Sequence, residues 1–305
     1  MKVLITGGAG FIGSHLTDRL ISLGNDVSII DNLSSGRKEN LNPQANFHFG
    51  DISDRSFMEH YFKKDPPEKI FHTAAQSYVS ISTKIPEEDA RINVSGSVLL
   101  IDLAKKYDVK KIIYSNSGGA SYGNPEYLPI DESHPINPVS QYGISKHTVE
   151  HYLKMYSQLG DLEYTSLRYA NVYGPRQDPY GEGGVVAIFS KKLLERESPI
   201  IFGDGNQIRD YCFVNDVIDA NIWAMNNGKN ECYNVGTGIG TTTQEIFDII
   251  KKETGSQIVP KYAPERMGDA KSCILNPDKL KNQGWHPKYS IIEGIKETIK
   301  YFKLK

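Results

Sequence analysis

The chain is short of cysteine, of long apolar runs and of net charge, and each shortage argues against a class of protein. Its three cysteines, Cys212, Cys232 and Cys273, have the spacing of neither a disulfide framework nor a metal site, so we expect reduced thiols in a cytoplasmic protein. No stretch of about 18 apolar residues is present, so we expect no membrane span. A formal net charge of -2 provides no basic surface for nucleic acid.

The remaining composition is that of an ordinary globular protein. Hydrophobic residues make up 39% and charged residues 24% of the 305 positions, enough for one large α/β domain or for a main domain with a smaller lobe. The N-terminus enters a strand pattern and a glycine turn at once, so we expect no secretory leader. An anionic substrate is still compatible with the small net charge, because a few arginines can bind a phosphate.

Apolar runs alternate with helical patterns through the first half of the chain. Strands are predicted at 2–6, 27–31, 70–74, 111–115 and 163–169, and helices at 13–23, 92–107 and 141–159. A strand, helix and strand in series predicts an α/β fold, a doubly wound parallel sheet with helices on both faces. In such a sheet, ligands bind outside the carboxyl ends of the strands.

The pattern changes after Tyr173. Glycine and proline cluster at 174–184 without periodicity, which predicts a loop at the start of a smaller C-terminal substrate-binding lobe. We therefore expect a main domain over 1–173, with a return segment at about 210–235, and an interleaved lobe over 174–305. A closing amphipathic helix is predicted at 289–305.

Three glycines follow the first predicted strand and precede the first predicted helix. Gly7, Gly10 and Gly13 let the backbone turn tightly and approach a pyrophosphate, which the N–H groups of the helix N-terminus then bind. Asp31 ends the next strand, where a carboxylate accepts hydrogen bonds from ribose hydroxyls and repels a 2′-phosphate, so NAD is favoured over NADP. The alternative is a plain strand–turn–helix unit without a ligand.

A second acidic position, Asp51, follows the strand-like residues 47–49. With Ile52 it is placed to cover the adenine of the dinucleotide, although a simple strand-end turn explains the same pattern.

A tyrosine and a lysine four residues apart are expected to share one face of a helix. A phenol with a pKa of about 10 is a poor base at neutral pH, but a nearby ammonium favours the phenolate. Lys146 is expected to lower the pKa of Tyr142 in this way and to bond the nicotinamide ribose, while Tyr142 takes a proton from a hydroxyl. Taken alone, such a pair is commonly a surface feature.

These motifs resemble one known family over essentially the whole chain. Gly-x-x-Gly-x-x-Gly at 7–13 together with Tyr142 and Lys146 is similar to the extended short-chain dehydrogenase/reductase superfamily, whose sheet is of the Rossmann type. Further matching segments lie at 72–76, 93–94, 167–176, 209–211 and 266–269. Within the superfamily, the chain most resembles the UDP-glucose/UDP-N-acetylglucosamine 4-epimerases.

The resemblance implies roles for particular residues. Ser117 is implied to relay a proton between the sugar 4-hydroxyl and Tyr142, with Ser121 as the alternative if the alignment shifts. The implied NAD contacts are Gly7, Gly10, Phe11, Ile12, Gly13, Asp31, Asn32, Ser35, Gly36, Asp51, Ile52, Ala74, Ala75, Gln76, Asn93, Ser115, Tyr142, Lys146, Tyr169 and Ala170. The implied substrate contacts are Asn116, Ser117, Tyr142, Asn171, Val186, Arg209, Arg266, Asp269 and Cys273, with the arginines on the diphosphate and no metal ligand.

The reaction implied is an isomerisation at C4 of a UDP-sugar. Oxidation gives a 4-keto sugar, the sugar turns over, and hydride returns to its other face, so UDP-glucose and UDP-galactose interconvert. The small side chain of Cys273 is implied to leave room for an N-acetyl group at C2 as well. The resemblance also implies a homodimer packed through helices near 92–107 and 141–159.

Two rival functions compete with this interpretation. The first is a nucleotide-sugar 4,6-dehydratase or another NAD-dependent enzyme that modifies nucleotide sugars. A dehydratase usually carries Asp-Glu after its catalytic threonine, and this chain has Gly118 and Gly119 there. A non-catalytic NAD-binding protein typically loses the tyrosine, which is present as Tyr142.

One motif resembles a metal site but is not expected to bind a metal. His147 and His151 form His-x-x-Glu-His with Glu150, the pattern of some metalloproteases, directly after Lys146 on the same predicted helix. No third ligand is evident, so we expect surface or packing histidines.

Overall fold

The computed structural model describes residues 1–180, 184–265 and 271–305. The chain forms two compact units that interleave along the sequence. Unit 1 comprises Met1–Ser121, Pro138–Arg168 and Ile218–Tyr233, and unit 2 comprises Tyr122–Asn137, Tyr169–Val217 and Asn234–Lys305.

Strands and helices alternate through the described ranges. The strands are β1 (Lys2–Thr6), β2 (Asp26–Asp31), β3 (Asn46–Phe49), β4 (Lys69–His72), β5 (Lys111–Ser117), β6 (Glu163–Tyr169), β7 (Asn171–Tyr173), β8 (Ile200–Phe202), β9 (Ile208–Phe213), β10 (Glu231–Val235), β11 (Gly240–Thr242), β12 (Lys261–Ala263) and β13 (Ser272–Cys273). The α-helices are α1 (Phe11–Ser22), α2 (Arg55–Lys64), α3 (Val79–Lys84), α4 (Pro86–Asp89), α5 (Ser97–Lys106), α6 (Gly118–Tyr122), α7 (Gln141–Gln158), α8 (Val185–Leu194), α9 (Val214–Ala224), α10 (Thr243–Thr254), α11 (Asp278–Lys281) and α12 (Ile291–Lys303). Ala90–Gly96 is a π-helical segment that continues into α5, and Lys38–Asn40 forms a 3₁₀ turn.

A seven-stranded sheet carries the predicted cofactor turn. Its strand order is β10-β6-β5-β4-β1-β2-β3, which contains the 3-2-1-4-5-6 order of dinucleotide-binding folds and adds β10 at one edge. β1 pairs in parallel with β2 and with β4, β2 pairs in parallel with β3, and β4 with β5. The predicted doubly wound parallel sheet is confirmed.

The inner strands of this sheet are buried, whereas the edge strand β3 has no buried residue. In β1 the exposed Lys2 is followed by four buried residues, and six of the seven residues of β5 are buried. Parallel strands covered on both faces read as continuous apolar runs. The helices α2, α5 and α7 contribute to the same hydrophobic cluster through Phe62, Leu100 and Leu153.

Unit 2 contains smaller sheets and a group of helices. β9 pairs antiparallel with β11 and parallel with β13 and β7, and β12 pairs in parallel with β8. The helices α8 and α10 meet through Phe189 and Phe247, whose ring centroids are 6.1 Å apart. Capping boxes begin two of its helices, Thr242 with Glu245 for α10 and Ser290 with Glu293 for α12, as Ser/Thr-x-x-Glu patterns do.

Element bounds differ from the predictions in a few places. The helix predicted at 13–23 begins at Phe11, and the strand predicted at 70–74 ends at His72, so residues 73–74 belong to the turn after the strand. The helix predicted at 92–107 begins with π-helical turns before α5, a deviation that hydrophobic periodicity does not reveal. Within the described ranges, none of the helices is long and apolar enough to cross a membrane.

Candidate active site

The glycine turn between β1 and α1 has the shape of a phosphate cradle. A Cβ on Gly13 would lie 2.2 Å from the carbonyl oxygen of Gly7, so only glycine allows this approach of helix and turn. Gly10 stands at the N-cap of α1 and no side chain caps the helix. The first N–H groups of α1 are thus available to an anion, and the helix dipole favours a negative charge there.

Acidic side chains end the strands beside this turn. Asp31 at the end of β2 is buried, and its two carboxylate oxygens accept hydrogen bonds from the backbone N–H of Ala9 (2.9 Å) and of Leu33 (2.8 Å). Burial raises the pKa of the Asp31 carboxyl, against the effect of these two bonds. Asn32 donates to Asp51 at 3.0 Å, which connects the loops after β2 and β3. The chemistry of these groups fits an adenosine ribose.

The turn after β4 is clamped from the π-helical segment. The Asn93 side chain accepts a hydrogen bond from the backbone N–H of Gln76 and donates one to the Gln76 carbonyl, each at 2.8 Å. Asn93 is buried, and the clamp fixes the backbone of the turn at Gln76. The structure therefore brings together Gln76 and Asn93, which were both predicted to contact the cofactor.

The two candidate catalytic serines lie at the end of β5 (Ser117) and in the short helix α6 that follows it (Ser121). Ser117 is half-buried, and its hydroxyl accepts a hydrogen bond from the Ala120 N–H at 3.3 Å. Ser121 is fully buried and donates its hydroxyl proton to the side-chain oxygen of Asn116 at 3.2 Å. Of the two hydroxyls, only that of Ser117 belongs to a partly accessible residue.

The helix α7, which carries Tyr142 and Lys146, packs against α6 through Gly143 and against β5 through Lys146 and Tyr114. The Ser140 hydroxyl caps α7 by accepting the N–H of Gly143 at 3.1 Å. A Cβ on Gly143 would lie 2.2 Å from the Ala120 carbonyl oxygen, so glycine is needed where α7 meets the segment after Ser117. Tyr142 and Lys146 lie about one turn apart on α7, as predicted.

The electrostatic state of this pair differs from the sequence-based expectation. We expected Lys146 to lower the pKa of Tyr142, but burial and the charge of Asp89 raise the pKa of Tyr142 to about 12 in the protein alone. Burial also lowers the pKa of Lys146 to about 7, although Glu150 and Asp89 oppose that change. Burial is a tertiary property, and in this site its effect exceeds that of the local Tyr-Lys spacing.

Glu150 is a buried hub that the sequence presents as part of a metal motif. Its carboxylate accepts hydrogen bonds from Arg168 (2.7 and 3.0 Å), Ser166 (2.6 Å) and Asn116 (2.8 Å). Burial alone would raise the pKa of Glu150, but hydrogen bonds from His147, Arg168 and Ser166 and the charge of Arg168 hold it well below its usual range. Through Asn116, this ion pair supports the strand end that carries Ser117.

The histidines of the metal-like motif meet each other and Glu150. His147 Nδ1 lies 3.1 Å from Glu150, and His147 Nε2 lies 3.0 Å from His151 Nε2. Among the residues that the structure describes, no group of three or more His, Cys, Asp or Glu side chains could hold a metal ion.

Three buried polar residues near Lys146 were not predicted. Tyr114 lies under the Lys146 ammonium, with 4.2 Å from Nζ to the ring centroid. His72 bonds Thr6 (2.7 Å) and Ser97 (2.8 Å), and Asp89 bonds Ser145. No sequence signal marks Asp89, because it ends a run of acidic residues typical of a solvated helix start.

The predicted cofactor residues divide between the two units. Unit 1 holds Gly7, Gly10, Phe11, Ile12, Gly13, Asp31, Asn32, Ser35, Gly36, Asp51, Ile52, Ala74, Ala75, Gln76, Asn93, Ser115, Tyr142 and Lys146, and unit 2 holds Tyr169 and Ala170. The side chain of Ile52 packs into the hydrophobic core beside Gly96.

Unit 2 brings three predicted substrate residues onto neighbouring strands. Cys273 on β13 is the register partner of Arg209 on β9, and Asn171 on β7 pairs with Tyr211 of the same β9. Cys273 is buried against Tyr122, and burial raises the pKa of its thiol to about 11.

Of the remaining predicted substrate residues in unit 2, one is buried in a helix and two lie outside the described ranges. Val186 on α8 is fully buried. Arg266 and Asp269 lie outside the described residues.

Together these features define a class. A glycine turn at an uncapped helix N-terminus, an acid at the end of the next strand, and a tyrosine–lysine pair beside a strand-end serine make a dinucleotide-dependent site for hydroxyl chemistry.

Comparison with known proteins agrees with this class. The model of the NAD dependent epimerase/dehydratase family matches residues 3–236. A putative UDP-glucose 4-epimerase of Methanocaldococcus jannaschii is 49% identical over 301 residues, which are 99% of this chain and 98% of that relative. The chain belongs to the NAD dependent epimerase/dehydratase family.

Solved structures of similar proteins are equally close. The UDP-glucose 4-epimerase of Thermotoga maritima with UDP-glucose is 50% identical, with a TM-score of 0.98 over 100% of this chain and 99% of that one. The UDP-glucose 4-epimerase of Thermus thermophilus with NAD is 40% identical, with a TM-score of 0.95 over 99% of both chains. A UDP-N-acetylglucosamine 4-epimerase of Methanobrevibacter ruminantium with UDP-N-acetylmuramic acid is 36% identical, with a TM-score of 0.94 over 99% of this chain and 98% of that one.

Proposed function

We infer that this protein is an NAD-dependent UDP-sugar 4-epimerase that interconverts UDP-glucose and UDP-galactose. The observation that carries the inference is the Tyr142–Lys146 pair on α7, which packs through Gly143 against Ala120 in the short helix that follows Ser117. The similarity to UDP-glucose 4-epimerases over nearly the whole chain supports the choice of substrate, and the sequence-based prediction of this activity is confirmed.

The chemistry at C4 requires a base, a proton relay and a hydride acceptor. NAD, when bound, supplies the hydride acceptor and gives the hydride back. Tyr142 takes the proton of the sugar 4-hydroxyl as C4 is oxidised to the ketone, and Ser117 relays it, being the partly accessible serine of the two candidates. Lys146 would bond the nicotinamide ribose, and its positive charge favours the Tyr142 phenolate that accepts this proton.

The return step reverses the first one on the opposite face of the sugar. Tyr142 gives its proton back to the C4 oxygen as hydride reaches C4, so one oxidation and one reduction cancel. No external oxidant is consumed, and the overall reaction is an isomerisation. Neither step needs a metal ligand from this chain.

The dinucleotide is held mainly by groups of unit 1. The uncapped N-terminus of α1 and the turn at Gly7, Gly10 and Gly13 bind its pyrophosphate, and Asp31 binds the adenosine ribose. The loops at Asn32 and Asp51, the clamped turn at 74–76 and Asn93 complete its surroundings.

The sugar nucleotide is bound by residues of β7, β9 and β13. Asn171 and Arg209 hold the diphosphate, since the planar guanidinium matches phosphate oxygens. Cys273, the neighbour of Arg209, leaves room beside the C2 substituent of the sugar. UDP-N-acetylglucosamine and UDP-N-acetylgalactosamine are therefore substrates as well.

The enzyme acts as a cytoplasmic homodimer. The helix α7 exposes Ile144 (53%) and Met155 (40%), and its C-cap residue Leu159 is also exposed (60%), so a second copy would cover these apolar side chains. Sedimentation equilibrium tests the dimer, and a monomer at micromolar concentration would contradict it.

The activity is tested by nuclear magnetic resonance of the anomeric signals during incubation with UDP-galactose and catalytic NAD. UDP-glucose is expected to accumulate without net NADH, and Tyr142→Phe is expected to abolish the conversion while Tyr180→Phe, an exposed position, leaves it intact. Absence of conversion in the wild type would remove this function.

A further inference from the structure

A fully buried carboxylate lies beside the catalytic helix, and the proposed chemistry does not use it. Asp89 ends α4 with 0% of its surface exposed. Its carboxylate accepts three hydrogen bonds, from Gln76 (3.0 Å), Asn93 (3.0 Å) and Ser145 (2.5 Å). The three donors are two amides and a hydroxyl, so the charge is solvated by neutral groups inside unit 1.

Two of these donors are Gln76, in the turn after β4, and Asn93, which clamps that turn from the π-helical segment. Asn93 clamps the backbone of Gln76 with its own side chain, and Asp89 in turn accepts from both side chains through one oxygen, Oδ1. The position of the 74–76 turn therefore depends on the carboxylate as well as on Asn93.

The third donor belongs to the catalytic helix. Ser145 precedes Lys146 and lies three residues after Tyr142, and its hydroxyl bonds the other oxygen of Asp89, Oδ2. A hydrogen bond of 2.5 Å to a carboxylate is short and charge-assisted. One carboxylate thus links α7, between its two catalytic side chains, to the turn after β4.

The charge of Asp89 also acts on both catalytic side chains. Burial is the larger cause of the raised pKa of Tyr142, and the charge of Asp89 raises it further. For Lys146, burial lowers the pKa, and the charge of Asp89 partly opposes that change. Glu150 on α7 acts on Lys146 in the same direction as Asp89.

Groups on the neighbouring strands also face Lys146. His72 on β4 is held neutral, with a pKa of about 3, by burial and by the charge of Lys146. Tyr114 on β5 meets the ammonium with its ring. Asp89 and Glu150 are therefore the anions that keep a proton on the buried lysine.

We propose that Asp89 is a positioning residue that locks the catalytic helix to the cofactor-facing turn and sets the charge that the Tyr142–Lys146 pair experiences. This role rests on the proposed epimerase function for its kinetic consequences, but not for its effect on NAD binding. A purely structural carboxylate would support folding and leave both the cofactor affinity and the protonation of the pair unchanged.

The test compares variants at Asp89, at Ser145 and at a matched control. Asp89→Asn removes the charge, and Ser145→Ala removes only the link to α7. Asp216 is equally buried in unit 2 and accepts the backbone N–H groups of Lys288 (2.8 Å) and Tyr289 (3.2 Å), so Asp216→Asn controls for the loss of a buried carboxylate. Each variant is measured for its Kd for NAD without sugar and for kcat against pH with UDP-galactose.

The expected results separate position from charge. In Asp89→Asn, NAD binds about tenfold more weakly, and both limbs of the kcat profile move to lower pH by about half a unit or more, because loss of a negative charge lowers both pKa values. In Ser145→Ala, kcat falls and the limbs stay in place. Asp216→Asn changes neither the limbs nor the Kd.

Other results overturn the proposal. An unchanged Kd and unmoved limbs in Asp89→Asn would do so, as would the same limb shift in Asp216→Asn. If Asp89→Asn does not fold, Ser145→Ala with wild-type kcat would overturn the positioning role. If the wild type binds NAD but does not epimerise, the proposed function fails, and the Kd of Asp89→Asn still decides the role of Asp89 in cofactor binding.

Discussion

The ammonium of Lys146 lies over the ring of Tyr114, with 4.2 Å between Nζ and the ring centroid. Tyr114 is fully buried on β5, and its hydroxyl donates to the Lys146 carbonyl at 3.2 Å. The ring face attracts the cation and the hydroxyl holds the backbone, so one residue supports the catalytic lysine at both ends. Because burial lowers the pKa of Lys146 to about 7, any group that favours the ammonium matters at neutral pH.

Replacement of Tyr114 should separate these two contacts. Tyr114→Phe keeps the ring, so the kcat profile should keep the limb that reports Lys146, with a stability loss of about 1 kcal/mol for the lost hydrogen bond. Tyr114→Leu removes the ring face and should move only the limb that reports Lys146 to lower pH, since the ammonium is less favoured. Equal profiles for both variants would contradict the role of the ring.

Removal of one partner of the buried Glu150–Arg168 ion pair should destabilise the fold strongly. Glu150→Gln removes the carboxylate that pairs with the buried Arg168 guanidinium, which should lower the free energy of unfolding in urea by about 3–5 kcal/mol. The exposed Arg55–Glu59 pair provides the control, and Glu59→Gln should cost less than about 1 kcal/mol. Similar losses in the two variants would show that burial of the pair is unimportant.

His72 should make the fold sensitive to acid. Its folded-state pKa of about 3 lies below the ordinary value of 6.5, so the unfolded chain binds a proton first as the pH falls through that window. Stability should therefore be lost between pH 6.5 and pH 3, by roughly 2 kcal/mol between about pH 7.5 and pH 5. His72→Gln should flatten this slope in urea titrations at the two pH values, whereas His60→Gln, at an exposed position, should not.

Cys273 should control the choice of sugar. Cys273→Tyr adds bulk beside Arg209 and should lower kcat/KM for UDP-N-acetylgalactosamine by about tenfold or more relative to UDP-galactose. The control variant Cys212→Ala replaces the buried cysteine of β9 and should change kcat/KM for both substrates alike. If Cys273→Tyr depresses the two substrates equally, the residue is not a gate.

The parts of the fold that depend on local pattern could be predicted. β1 has the predicted bounds because a continuous apolar run between polar ends is a local signal of a buried parallel strand. β6 also has its predicted bounds, although its sequence contains Thr165, Ser166 and Arg168. The turn from Gly7 to Gly13 was recognisable because Gly10 and Gly13 both approach the carbonyl oxygen of Gly7, so the steric requirement for glycine arises within one short segment.

The parts of the fold and the site that depend on contacts between distant positions could not be predicted from the sequence. Asp89 meets Ser145 from 56 positions away, and neither residue carries a mark of that contact in the sequence. The raised pKa of Tyr142 was missed for the same reason, since its largest cause is burial by the folded chain. Glu150 stood in a recognisable motif, but its partner Arg168 comes from the next strand, β6.

The most direct test of the central claim is the fate of deuterium placed at C4 of UDP-galactose. If hydride is removed and returned within the active site, the UDP-glucose formed should keep the label at C4 in ordinary water, as read by nuclear magnetic resonance. Loss of the label to solvent, or its accumulation in free NADH, would contradict an epimerase that oxidises and reduces the same carbon.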